Sequence, residues 1–266
     1  MGDPALAARE HSNYIESIGW VAGLRPEGVV RRQDGVALLA SGVAMRLFNQ
    51  VMIEDEATAT EAGVADAVGT LRTKADRYIV QLRNGLDDRF AALLGDLGLV
   101  QLDGDHRLPG MALEPIARTA TKPIGLDIRI VTDVRGFDDH VRTAALGFGL
   151  GEALVRTFLD VRMLEHPDST FYVGYLDGQP LATGLGFRTG DTIGVYNIST
   201  IEAARRRGFG AAMTARIAAD GAAAGCVVAI LQASQMGLPV YEQLGYRTVV
   251  DYVGYVDPPA PEPAPA

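Results

Sequence analysis

The residues best suited to chemistry lie in one turn, residues 205–210, with the sequence Arg-Arg-Arg-Gly-Phe-Gly. An apolar strand pattern precedes this turn at residues 193–200, and an alanine-rich helical pattern follows it to residue 224. Two glycines let the backbone approach a ligand, and the N–H groups of the turn and of the following helix attract an anion. Three arginines alone would indicate a solvated helix start, but with the two glycines they favour a pyrophosphate site.

Composition limits the classes of partner. The chain has 266 residues, enough for two domains, and a formal net charge of −9. Such an acidic protein is a poor binder of nucleic acid or of an anionic membrane. No apolar run reaches membrane-spanning length and no basic-apolar leader opens the chain, so a cytoplasmic location is expected. Cys226 stands alone and the histidines are scattered, so no metal site is expected.

The order of elements predicts an α/β (α+β) fold with a mixed central sheet flanked by helices. The first half shows a helix at 9–24, strands at 36–40, 45–53 and 78–82, helices at 60–75 and 87–97, and a terminal strand pair at 99–102 and 108–113. A linker at 114–124 follows. The second half shows a strand at 127–131, helices at 137–146 and 152–159, a hairpin at 170–187, the strand and helix around the glycine turn, a strand at 226–232, a helix at 237–244 and a strand at 246–256.

The two halves share a spacing that predicts a tandem repeat of one α/β unit. An aromatic-Asn pair precedes a Leu-Gly-apolar motif in each half, and the Asn-to-Gly separation is 49 residues from Asn49 to Gly98 and 48 from Asn197 to Gly245. We expect domains at 1–120 and 126–256 and a disordered Pro/Ala tail at 257–266. The first copy has Glu54, an aspartate and a glutamate where the second has arginines, so it is expected to be a degenerate scaffold.

Residues 126–256 resemble the GNAT superfamily of acetyl-CoA-dependent N-acyltransferases. Residues 1–120 resemble the same superfamily in the order of their elements. Arg205, Gly208 and Gly210 match the family's Gln/Arg-x-x-Gly-x-Gly/Ala motif. Ser234 stands where the family usually has asparagine, and Tyr241 follows seven positions later, before a Gly-aromatic pair. A bacterial subgroup of the family is built as tandem copies with a degenerate first copy.

The resemblance implies a pantetheine arm lying in a gap between the fourth and fifth strands of the family's sheet, with Tyr241 protonating the departing thiolate. A backbone N–H near Ile198 would polarise the thioester carbonyl. The acetyl-CoA contacts that it implies are Ile198, Ser199, Thr200, Arg205, Arg206, Arg207, Gly208, Phe209, Gly210, Ala211, Ser234, Gly237 and Tyr241, with no metal.

The general base stays open, and the candidates are Glu152, Asp160, Glu165, His166, Tyr196 and Asn197. The implied reaction is direct acetyl transfer to an unknown amine, on a small molecule or on a protein or peptide. Two alternatives are a non-catalytic acyl-CoA-binding regulatory module and an acyltransferase for a longer acyl group, for which Gly184, Gly186 and Gly194 would leave room. A monomer and a homodimer are both compatible with the sequence.

Overall fold

The computed structural model describes residues 3–102, 107–116 and 125–258. The α-helices in these ranges are α1 Pro4–Gly23, α2 Glu61–Lys74, α3 Ala91–Asp96, α4 Val134–Phe148, α5 Glu152–Val155, α6 Phe209–Ala223 and α7 Leu238–Gln243. The strands are β1 Val29–Gln33, β2 Val36–Ala40, β3 Asn49–Ile53, β4 Ile79–Arg83, β5 Val100–Gln101, β6 Leu108–Leu113, β7 Asp127–Ile130, β8 Ser169–Leu176, β9 Gln179–Thr189, β10 Thr192–Thr200, β11 Val228–Gln232 and β12 Arg247–Val256. No helix in the described ranges is long and apolar enough to cross a membrane.

The chain forms two compact units, and each is described by itself. The N-unit comprises residues 18–108 and 251–266, and the C-unit comprises residues 1–17 and 109–250, as far as the structure describes them. This division differs from the predicted ranges 1–120 and 126–256. The first residues of α1 and nearly all of β6 pack with the second half of the chain, whereas the end of β12 packs with the first half.

The N-unit packs α2 against an antiparallel meander. Strands β1, β2 and β3 pair antiparallel in succession, and β4 joins β3 in parallel. The end of β12 lies antiparallel to β4 and to β5. The buried side chains of α2 recur at helical spacing, which gives the helix one apolar face against the sheet: Val64, Ala67, Val68 and Leu71.

The C-unit contains the glycine turn. Strands β7 to β10 pair antiparallel in succession, β11 joins β10 in parallel, and β6 lies antiparallel to β11. Residue 184 of β9 faces Met213 of α6, whereas Thr183 faces the end of α4 through Ser199. Because neighbouring residues of a strand point to opposite faces, α4 and α6 cover opposite faces of this sheet. The mixed sheet flanked by helices confirms the predicted fold class.

The structure corrects two strand assignments. The segments at 99–102 and 108–113 do not pair with each other in the described residues, because β5 pairs with β12 and β6 pairs with β11. The predicted strand at 45–53 begins only at Asn49, after a 3-10 turn. Strand β1 was not predicted, because its sequence Val-Val-Arg-Arg-Gln has no alternation of apolar and polar residues. Residues 117–124 of the predicted linker at 114–124 and residues 259–266 of the predicted tail at 257–266 lie outside the described residues, so those parts stay predictions. At the start of the predicted tail, Asp257 accepts from Nη2 of Arg72 at 2.8 Å.

Candidate functional site

The strands β10 and β11 separate along their length. Within the described residues, their parallel pairing covers Thr192, Ile193 and Gly194 and ends there, although β10 continues to Thr200 and β11 continues to Gln232. We call the space between residues 195–200 and residues 231–232 the strand cleft. Backbone groups that face this cleft have no partner strand across it, so an extended ligand can pair with them as an added strand does.

A β-bulge bends β10 beside the cleft. The register with β9 shifts between Tyr196 and Ser199, and Asn197 has a left-handed backbone with φ of 52°. The Nδ2 of Asn197 lies 2.9 Å from Nε2 of His140 in α4, and Nδ1 of His140 lies 3.0 Å from the carbonyl oxygen of Tyr172. Because the carbonyl must accept, Nδ1 carries the proton and Nε2 accepts from the amide.

His140 is fully buried, and burial lowers its pKa to about 4. The ring is therefore neutral near pH 7, which keeps Nε2 available as the acceptor for Asn197. Ser199, the next inward residue, is also buried and shares a 2.8 Å hydrogen bond with Thr183. The bonds of Asn197 to His140 and of Ser199 to Thr183 thus hold the bulge in place on both sides of residue 198. Because the side chain of Ser199 is engaged, its backbone is the part available to a ligand.

The side chain of Arg205 holds the glycine turn in place by binding backbone carbonyl groups. Its guanidinium donates to the carbonyl oxygens of Thr200 at 3.2 Å and of Gly147 at 2.8 Å, so it ties the end of β10 to the last turn of α4. A Cβ at residue 147 would lie 2.6 Å from Oγ of Ser199, so only glycine permits this approach. The predicted phosphate contact of Arg205 therefore depends on its backbone, because its side chain is already engaged.

Helix α6 begins with its N–H groups uncapped. Gly208 is its N-cap residue with φ of 78°, and no side chain in the described residues caps it. A Cβ at Gly208 would meet nothing within 4 Å, so the space in front of the helix is open. The first N–H groups of a helix need acceptors, and an anion supplies them.

The remaining arginines flank this open end. Arg206 has a left-handed backbone with φ of 61° and an exposed side chain. The guanidinium of Arg207 stacks over the buried ring of Phe209 at 4.7 Å from its centroid. Phe209 therefore anchors the helix in the core, while Gly210 and Ala211 are only partly buried in its first turn.

Tyr241 lies in α7 and is partly buried against the core that includes Val195 and Met213. Its hydroxyl forms no hydrogen bond with the described residues, and burial raises its pKa to about 12. The ring meets that of Tyr246 edge-on at 6.1 Å between centroids. A phenol held protonated in this way can act as a proton donor.

Ser234 is exposed and precedes α7, and its Oγ accepts from the N–H of Gly237, the N-cap residue of that helix, at 3.2 Å. A Cβ at residue 237 would lie 2.8 Å from the ring of Tyr241, so Gly237 lets that ring lie close to the backbone. Both residues therefore shape the helix that carries Tyr241. Their predicted contacts with acetyl-CoA stay predictions.

The predicted base candidates on the helical segment have other partners. Glu152 binds Arg156 at 2.8 Å, and Asp160 binds Arg162 at 2.7 Å, both on the surface. Glu165 is exposed. His166 Nδ1 accepts from the N–H of Asp168 at 3.2 Å. These contacts are typical of surface residues and single out none of the four as the base.

Buried polar residues of α1 near the strand cleft were missed by the sequence reading. Glu10 and Asn13 are fully buried in the C-unit and bind residues of β11 and β10 respectively. Helical spacing predicted α1, but it placed only Ile15, Ile18, Val21 and Ala22 on the apolar face. A signal was available in the sequence, because Glu10, a charged residue, and Asn13, an amide, lie about one helical turn from that apolar face.

The three glycines proposed to enlarge an acyl pocket leave no extra room. A Cβ at Gly184 would lie 2.6 Å from Ile217 and 2.7 Å from Met213. A Cβ at Gly186 would lie 3.1 Å from Ile217, and one at Gly194 would collide with Asn13 and Tyr196. These glycines admit neighbouring side chains of α6, β10 and α1.

Comparison with known proteins shows what the region around this site is similar to. Residues 134–231 match the family model described as an acetyltransferase (GNAT) domain. No curated protein matches the chain. A GCN5-related N-acetyltransferase from Kribbella flavida has a similar structure, with a TM-score of 0.71, 20% identity and coverage of 96% of each chain.

Two further solved structures share the fold. A GCN5-related N-acetyltransferase from Sphaerobacter thermophilus gives a TM-score of 0.59 at 15% identity, covering 83% of this chain and 75% of that one. A GNAT-family structure from Novosphingobium aromaticivorans gives 0.53 at 17% identity, covering 89% of this chain and 95% of that one. At these identities the likeness concerns the fold alone.

Proposed function

We propose that the region around residues 134–231, which matches the model of an acetyltransferase (GNAT) domain, transfers the acetyl group of acetyl-CoA directly to an amine. The amine belongs to a small molecule or to a peptide or protein. One observation carries the proposal: β10 diverges from β11 and leads, through the glycine turn, to the uncapped start of α6. An extended arm and an anionic group are thereby accommodated in one continuous path.

The residues of the path have distinct roles in the proposal. The N–H groups of residues 206–211 bind the pyrophosphate, and the exposed Arg206 and Arg207 add positive charge at its edge. The backbone of residues 198–200 pairs with the amides of the pantetheine arm. Ile198 itself is partly buried, with its side chain packed against the core, so its backbone is the part suited to this pairing.

The bound acetyl-CoA supplies an activated thioester. The bulge at Asn197 directs the N–H of Ile198 toward the carbonyl, where it stabilises the oxyanion that forms as the amine attacks. A carbon–nitrogen bond forms, the carbon–sulfur bond breaks, the amine nitrogen releases a proton to solvent, and the sulfur needs a proton. Tyr241 donates that proton, because its phenol is protonated at neutral pH and its hydroxyl has no hydrogen-bond partner among the described residues, and it then regains a proton from solvent.

Binding and chemistry are tested separately. Isothermal titration with acetyl-CoA should give saturable heat, and incubation with an amine library should give a mass increase of one acetyl group. Binding without transfer to any amine would instead support the regulatory-module alternative. No heat with the wild-type protein would contradict the assigned site.

The substitution Tyr241→Phe tests the proton donor. We expect kcat to fall by about 10²-fold, in the range of general acid catalysis, with an unchanged Kd for acetyl-CoA. Tyr246→Phe is the matched control, since the Tyr246 hydroxyl is buried without a hydrogen-bond partner among the described residues. Equal losses of turnover and affinity in Tyr241→Phe would indicate a packing role.

A further inference from the structure

The strand cleft is spanned by side chains from α1. We infer that Glu10, Asn13, Tyr196 and Gln232 form a polar brace that sets the separation of β10 and β11 for the pantetheine arm. The inference rests on the proposed function, since it assigns these residues a positioning role at the same site. It concerns hydrogen bonds within the C-unit and places none of the four residues in contact with the reacting atoms.

One end of the polar brace is fixed to β10 and its neighbour β9. The hydroxyl of Tyr196 donates to Oδ1 of Asn13 at 2.6 Å. The Nδ2 of Asn13 donates to the carbonyl oxygen of Phe187 at 3.1 Å and to Oγ1 of Thr189 at 2.8 Å. Asn13 is fully buried, so each of these bonds is costly to lose. Gly194 makes room for this contact, because a Cβ there would collide with Asn13.

The other end is fixed to β11. Nε2 of Gln232 donates to Oε1 of Glu10 at 2.6 Å, and Glu10 has no exposed surface. Gly110 of β6 is the register partner of Gln232, and a Cβ at residue 110 would lie 2.5 Å from the Glu10 carboxyl group. The carboxyl group therefore lies directly over the paired backbone of β11 and β6, where only glycine leaves space.

The positions of the four residues define the role. Glu10 and Asn13 are three residues apart on α1, so both lie on one face of the helix. Their partners Tyr196 and Gln232 each lie two residues beyond Gly194 and Ile230, the last pair of the parallel ladder. Beyond the end of the ladder, no backbone hydrogen bond among the described residues joins β10 to β11, and a rigid helix bound to both strands sets the distance between them.

Two variants test the polar brace by removing one end each. Glu10→Ala removes the bond to β11, and Tyr196→Phe removes one bond to β10 while keeping the ring. Each is expected to weaken CoA binding about fivefold, the equivalent of one hydrogen bond. Adenosine 3′,5′-bisphosphate, which lacks the pantetheine arm, should bind both variants as it binds the wild type, because it needs only the turn and α6.

The conservative variant Glu10→Gln provides the rescue. Its amide oxygen still accepts from Gln232, so CoA affinity and turnover should equal those of the wild type. Equal weakening of CoA and of the bisphosphate in Glu10→Ala and Tyr196→Phe, or wild-type CoA affinity in both, would overturn the polar brace. So would a loss of turnover in Glu10→Gln with normal CoA affinity, which would mean that the charge of Glu10 acts. A wild-type protein that binds neither ligand would overturn the proposed function instead.

Discussion

Two segments of the molecule have the same order of elements but different helix starts. In the N-unit, β3 leads through residues 54–60 into α2, and in the C-unit, β10 leads through residues 201–208 into α6. In each unit the last strand of an antiparallel meander continues into a helix and then into a parallel strand. Each parallel pairing covers three residues, but β3 ends one residue after its last pair, whereas β10 continues for six residues beyond Gly194.

The loop of the N-unit satisfies its own polar groups. Thr60 caps α2 by accepting from the N–H of Gly63 at 3.0 Å, and Asp55 accepts from the N–H of Ala57 and the hydroxyl of Thr58. Arg89 donates to the carbonyl oxygens of residues 56 and 59. In the C-unit, Gly208 offers no such cap. A helix start thus becomes an anion site when the chain leaves its N–H groups without an internal acceptor.

The asparagines of the two aromatic-Asn pairs also differ in their backbone conformation and in their hydrogen bonds. Asn49 is fully buried and extended; its Oδ1 accepts from the N–H groups of Ser41 and Gly42, and its Nδ2 donates to the carbonyl oxygens of Val43, Met45 and Arg77. Asn197 is left-handed, lies at a bulge, and binds His140. The first asparagine closes a loop onto its sheet, and the second holds a strand in a bent form.

The largest expected effect is on the open helix start. The double substitution Gly208→Asp plus Gly210→Asp should weaken acetyl-CoA binding at least about a thousandfold, or ~4 kcal/mol, because carboxylates repel the pyrophosphate and residue 208 needs a positive φ. Titration calorimetry measures it. The matched control is Gly69→Asp plus Gly95→Asp, which adds the same charge where a Cβ meets nothing within 4 Å. Equal affinity in both double variants would remove the contrast between the two helix starts.

Substitution of Asn49 should affect mainly stability, whereas substitution of Asn197 should affect mainly turnover. Asn49→Ala leaves several buried backbone groups without partners and should lower the free energy of unfolding by about 4 kcal/mol. Asn197→Gly keeps the left-handed backbone and loses the bond to His140, so its main loss should be in kcat. Chemical denaturation and steady-state kinetics measure the two quantities. A larger stability loss in Asn197→Gly than in Asn49→Ala would contradict this reading.

The buried His140 predicts acid sensitivity of the C-unit. An unfolded histidine takes up a proton below its ordinary pKa of 6.5, whereas His140 in the folded chain does so only near 4. The unfolded state therefore binds more protons in this window, so the free energy of unfolding falls by about 3 kcal/mol as the pH drops from 6.5 to 4.

His140→Gln should flatten that pH dependence. Denaturant unfolding at several pH values provides the measurement. An equally steep decline in His140→Gln would show that other groups cause the acid sensitivity.

The smallest expected effect is on the start of α2, where a side chain caps the first N–H groups. Thr60→Ala removes the cap of α2 and should lower the free energy of unfolding by about 1 kcal/mol without changing acetyl-CoA affinity. Asp133→Ala is the matched control in the C-unit, because Asp133 caps α4 through the N–H of Gly136 at 2.8 Å. Weaker acetyl-CoA binding in Thr60→Ala would contradict the assignment of the site to the C-unit.

Much of the fold followed from local patterns. Apolar spacing predicted the helices and most strands, and the glycine turn followed from residue types at fixed spacing. Pairing of β6 with β11 and of β12 with β4 was not predicted, because strand pairing across long sequence separations depends on tertiary packing. The tandem-repeat hypothesis is compatible with the shared element order of the two units and stays a prediction.

The sequence alone determined the mixed α/β class and the position of the glycine turn, since both depend on periodicity and on backbone freedom at glycine. Tertiary structure alone decided which polar groups are engaged. It assigned the side chain of Arg205 to Gly147, buried His140 against Asn197, and brought Glu10 over Gln232. These contacts join residues 58, 57 and 222 positions apart, a distance at which neither periodicity nor motif spacing carries information.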